Sequence, residues 1–130
     1  LYTVLIVMSA FSCKSEKKDI KGAVDKFADL ECRAITLREK RFELANQIRF
    51  TEDTLTHPTA NADTARLRLK LEGFNKEKET LLKESLSLAD TIRLQLNDLM
   101  KNQLTDQKDK ANFDQLLNAT LEQRGCIEKS

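Results

Sequence analysis

THPTANADT, residues 56–64, is the clearest turn in a chain of 130 residues. Pro58 disfavours helical geometry at His57, so a helix arriving from the N-terminal side is expected to stop near Thr56. Beyond it, Thr59, Asn61 and Asp63 each offer a side-chain oxygen able to cap a new helix. Whether this turn joins two helices depends on the periodicity on either side.

Upstream, a seven-residue repeat is countable from Ile20. One set of positions holds Ile20, Phe27, Ala34, Arg41, Ile48 and Leu55, and the interleaved set holds Ala23, Leu30, Leu37, Leu44 and Thr51. All but Arg41 and Thr51 are apolar, the signature of an amphipathic helix with a coiled-coil-like seam over about 19–56. Downstream, Leu67, Leu71, Phe74, Leu81, Leu88, Ile92 and Leu99 form a second seam, interrupted by Lys78 and Ser85. This predicts a second helix over about 61–104. Glu72 with Lys76 and Glu79 with Lys83 are favourable i,i+4 pairs that mark a solvated face.

After Leu104 the run TDQKDK, residues 105–110, has no large apolar residue. Phe113, Leu116, Leu117 and Leu121 then resume a helical stripe, and Gly125 stands where a C-terminal cap belongs. A third helix over about 111–124 is the expectation, with one unbroken helix from about 61 to 124 as its rival. Folding the chain back near residues 59–60 and again near 107–108 sets Cys126 level with Ala89 and Ala89 level with Leu30, one turn from Cys32. An unbroken helix rising 1.5 Å per residue instead carries Cys126 far past Cys32. The second seam also widens at Leu82, Leu86, Ala89 and Leu96, as expected of a helix with two neighbours, and Val24 and Ala28 widen the matching part of the first. Ile35 and Phe42 widen the first helix beyond the third helix's expected reach. Two readings account for them: they are exposed anchors for a partner, which makes them the candidate partner-binding residues, or the third helix lies differently from this placement.

The expected fold is all-α: a long antiparallel hairpin with a third helix forming a three-helix bundle at its base, stapled by Cys32–Cys126. Composition agrees with long helices. There are three Gly, one Pro and no Trp, with 33% charged residues. The 22 basic and 21 acidic residues nearly cancel, without the concentrated basic stripe of a nucleic-acid binder.

The N-terminal segment is different. Residues 1–12 carry no charge, a run too short to span a bilayer but suited to the apolar core of a signal peptide. It starts at Leu1 with no preceding basic residues, so a truncated signal peptide is the expectation. A buried strand through Val4 to Val7 is the alternative, but no second strand candidate follows it. Ala10-Phe11-Ser12-Cys13 resembles the lipobox of bacterial lipoproteins, with a small residue ahead of the cysteine but Phe11 and Ala10 departing from the commonest pattern. The resemblance covers these 13 residues alone. It implies cleavage before Cys13, lipid attachment to Cys13, and a short tether over 13–18 ahead of a single helical domain over 19–130. The small-x-small pattern of Ala10 and Ser12 also suits an ordinary signal peptidase cutting at the same bond, without lipid. Export to an oxidising compartment leaves Cys32 and Cys126 as the natural pair once Cys13 is lipidated.

Catalytic chemistry is poorly supplied. His57, the sole histidine, sits in the turn, with no partner for a zinc site or a hydrolytic triad. Gly22, Gly73 and Gly125 are too scattered for a phosphate loop. Asp25 and Asp29 lie one turn apart, where solvation is the ordinary role. Arg33 beside Cys32 could lower its thiol pKa, but a structural disulfide is the stronger reading. The expectation is therefore a non-enzymatic protein without metal or cofactor: an exported lipoprotein of the cell envelope, held to the membrane through Cys13 and binding an envelope protein. The rival is a periplasmic holdase-like hairpin chaperone, with Arg41, Lys78 and Ser85 marking the register of a homo-oligomer.

Overall fold

The computed structural model describes residues 19–130 and is all-helical over them: α1 (Ile20–Thr56), α2 (Thr64–Asn102) and α3 (Gln107–Gln123). Each helix begins on an aspartate. Asp19 accepts from the Gly22 backbone N–H at 2.8 Å, Asp63 from Arg66 at 3.1 Å and Asp106 from Asp109 at 2.7 Å. Each cap satisfies one of the donors that a helix start leaves without a partner. At the first cap glycine matters, because a Cβ on Gly22 would overlap the Asp19 carboxylate.

These caps move two expected boundaries. Of the three candidate caps in the first turn, Asp63 is the one used, so α2 begins at Thr64 rather than near 61. The third helix begins at Gln107 rather than 111, because Asp106 starts it before any apolar residue appears. The second turn therefore shrinks to 103–106. Chain reversal there is real, and the single continuous helix is excluded.

α1 and α2 run antiparallel against each other through the two seams. Leu37, Leu44, Ile48, Leu81 and Leu88 form the core of the shaft, flanked by Leu30, Ala34, Leu71 and Phe74. Two polar seam positions are neutralised locally: Thr51 donates to the Gln47 carbonyl at 2.8 Å and Ser85 to that of Leu81 at 2.7 Å. Intrahelical hydroxyl bonds of this kind let a small polar residue sit in a seam without an unpaired donor. Arg41 and Lys78 instead remain exposed at the seam's edge.

At the base all three helices contribute to one cluster: Val24 and Phe27 from α1, Leu99 from α2, Leu104 from the turn and Phe113 from α3. Phe27 and Phe113 meet edge to face, with centroids 5.7 Å apart and planes at 70°. Leu104, fully buried, plugs the second turn. Ile92 packs against both clusters and makes the core continuous.

Of the two long helices expected to flank the third, one supplies most of its contact. The third helix packs mainly against α1, on the stripe formed by Val24 and Ala28, both buried. Of the extra apolar residues of α2, Leu96 packs against the base cluster, but Leu82 is 42% exposed, Leu86 is 60% exposed, and Ala89 is exposed too. α1 carries two apolar stripes, one for α2 and one for α3, so α3 needs little of α2 beyond the base.

Candidate functional site

The end of α3 is built around a Schellman turn. The Cys126 N–H reaches the Leu121 carbonyl at 3.0 Å and the Gly125 N–H reaches that of Glu122 at 3.1 Å, with Gly125 at φ 72°. This reversal points Cys126 back at α1, where it is bonded to Cys32 with Cα atoms 5.4 Å apart. The adjacent Arg124 bridges two carboxylates of α1, Asp25 at 3.5 Å and Asp29 through its other terminal nitrogen. Asp25 and Asp29 thus clamp α3 rather than serving solvation alone. The Cys32 thiol is engaged in the disulfide, and a redox role for a free thiol there is set aside.

No cluster of three or more His, Cys, Asp or Glu suited to a metal occurs among the described residues, and no described helix is long and apolar enough to cross a membrane. His57 is exposed at the hairpin tip. Cys13 lies outside the described residues, as do the signal and tether readings for 1–18.

What the structure does present is a groove along one side of the shaft. Buried Leu44 lies at its floor, and Ala45 and Phe42 of α1 and Leu82 of α2 line its sides; its volume is about 380 Å³. Phe42 is 71% exposed although nothing about a helix surface requires a phenylalanine there. Arg38, Arg41 and Lys78 line the same groove, and no carboxylate does. None of the three cations makes an ion pair or hydrogen bond with another described residue. Helical spacing extends the surface at both ends: Leu86 follows Leu82 by one turn, and Arg49 follows Phe42 by two.

A groove on the hairpin's other side makes a useful contrast. It is lined by Glu43, Gln47, Phe50, Lys70 and Phe74 among others, so both signs of charge are present. Lys70 also sits 5.5 Å from the centre of the Phe74 ring, a cation–π contact that occupies both.

Of the two partner-binding residues expected from sequence, Phe42 lies in the basic groove. Ile35 is half-buried, one heptad before Phe42 on the same face of α1, and does not line it. Leu82 and Leu86 belong to this surface and were assigned by sequence to the contact with α3. Their exposure follows only from where α3 docks. No family model, curated protein or solved structure matches the chain.

Proposed function

We propose that this chain is a non-enzymatic protein-binding module of an exported lipoprotein, with the lipid on Cys13 and the hairpin as its recognition element. The observation that carries the binding part is the exposed, apolar-walled groove at Phe42 and Leu82, whose charged lining is cationic alone. Large exposed aromatics beside a concave apolar floor are what protein recognition uses, and a folded monomer gains nothing by leaving them in water. Export and anchoring rest on residues 1–13 and are supported by the Cys32–Cys126 bridge, which belongs to an oxidising compartment. A helix of 37 residues would carry the tip about 55 Å from the base.

The two parts are tested separately. Intact mass of the mature protein should show a diacylglycerol-bearing Cys13 as its first residue, and Cys13→Ala should release the protein from membranes. An unmodified Cys13 on a processed protein defeats the lipid reading alone. Affinity capture from the native envelope should recover a protein that Phe42→Ala fails to recover, with Ile35→Ala having the smaller effect. Equal recovery by wild type and both variants defeats the binding reading.

A further inference from the structure

We infer that the occupant of the Phe42–Leu82 groove is an acidic amphipathic helix of a different protein. This rests on the reading of the chain as a partner-binding module and names the chemistry of the partner.

Two observations point the same way. The groove lies between two long antiparallel helices, with Phe42 of α1 on one side, Leu82 of α2 on the other and exposed Leu86 one turn beyond Leu82, an elongated apolar strip of the kind that receives the apolar face of a helix. Arg38, Arg41 and Lys78 border that apolar strip and lack carboxylate partners among the described residues. A ligand placing Asp or Glu beside its apolar anchors would supply those partners, and a neutral or basic one would leave three cations half-desolvated.

The same charges argue against a second copy of this chain. A two-fold dimer through this face brings together two copies of the same cation-bordered surface, and no acidic residue in the groove offsets the repulsion. A bilayer surface fits less well than a helix, because the apolar floor at Leu44 is recessed between α1 and α2 rather than presented as a flat face.

The test is selection of a displayed library of randomised helical peptides of about 16 residues, four to five turns, on the immobilised full chain. Enriched sequences should carry apolar residues at i, i+4 and i+7 flanked by Asp or Glu. A synthetic peptide of the enriched sequence should bind in fluorescence anisotropy. Phe42→Ser should weaken it about tenfold or more, as loss of a central aromatic anchor does. The triple reversal Arg38→Glu, Arg41→Glu, Lys78→Glu should weaken it about tenfold as well, and exchanging the peptide's acids for lysines should restore binding to that variant. If the triple variant fails to fold, raising salt from about 50 mM to about 500 mM on the wild type should itself weaken binding severalfold.

The inference is overturned by no enrichment, by enrichment of neutral or basic peptides, or by binding insensitive to both charge reversal and salt. It is overturned equally by a Phe42-dependent dimer in sedimentation, or by Phe42-dependent flotation with phosphatidylglycerol vesicles. Any of these leaves the mass of Cys13 and the envelope capture to stand or fall on their own.

Discussion

Removing the Cys32–Cys126 bridge tests how this slender fold is held together. Both cysteines should be replaced by serine, since a single replacement frees a thiol to pair elsewhere. Cys32 and Cys126 are only half-buried, so the serine hydroxyls stay solvated and add little cost of their own. The bridge joins positions 94 apart in sequence. For a loop of that size the chain-entropy model assigns about 4.7 kcal/mol, lost from the folded state's advantage when the unfolded chain is no longer tied. Small domains have total stabilities of about 5–15 kcal/mol, and this one has a core only one layer of side chains wide along most of its shaft. The double variant should therefore be near the limit of folding. In urea denaturation followed by helical circular dichroism, a slope of about 2 kcal/mol per M turns that loss into a midpoint lower by about 2 M. A shift below about 0.5 M with an unchanged slope would refute the reasoning. It would mean that the unfolded chain is little restrained by the bridge and that packing alone carries α3.

Three further outcomes follow from the packing. Phe113→Ala empties a buried ring site against Phe27 and should cost about 3–5 kcal/mol in chemical denaturation, whereas a loss under about 1 kcal/mol would mean that the base cluster is not a packed core. Gly73→Ala should stabilise by about 0.5–1 kcal/mol, because the position is mid-helix and an added Cβ meets nothing within 4 Å; a lower melting temperature would contradict that geometry. Asp106→Ala removes the cap of α3 and should cost about 1 kcal/mol, with the largest rise in amide exchange confined to the first turn of that helix.

The shaft was legible in the sequence because heptad spacing places Leu37, Leu44, Leu81 and Leu88 on facing stripes whatever lies elsewhere. Pro58 marked the first reversal for an equally local reason. Pairing Cys32 with Cys126 followed from counting levels along two reversals, and it holds in the structure. The side on which α3 docks was not legible. Periodicity tells which face of a helix is apolar but not which neighbour covers it, and both α1 and α2 offered a second stripe. The choice of α1 is reinforced by Arg124 reaching Asp25 and Asp29, an interaction between residues 95 or more apart that leaves no local pattern. Because α3 chose α1, Leu82 and Leu86 changed from expected core to exposed surface, and the groove with them. The start of α3 was misplaced for a smaller reason. A first helical turn capped by Asp106 needs no apolar residue, so its polar run resembled a loop.

The bridge also decides how the molecule carries mechanical load. Tension applied between any point before Cys32 and any point after Cys126 passes along α1 to Cys32, crosses the sulfur bond and leaves through Cys126. The backbone between the two cysteines, including the tip and the groove at Phe42, is then in a closed side branch and carries no tension from end to end. About 310–340 Å of extensible chain is locked out of the path, at 3.3–3.6 Å for each of the 94 residue steps. With the thiols reduced, the same pull would run the full contour. In its oxidised form the protein transmits strain as a short rigid link while its recognition surface rides beside it undisturbed.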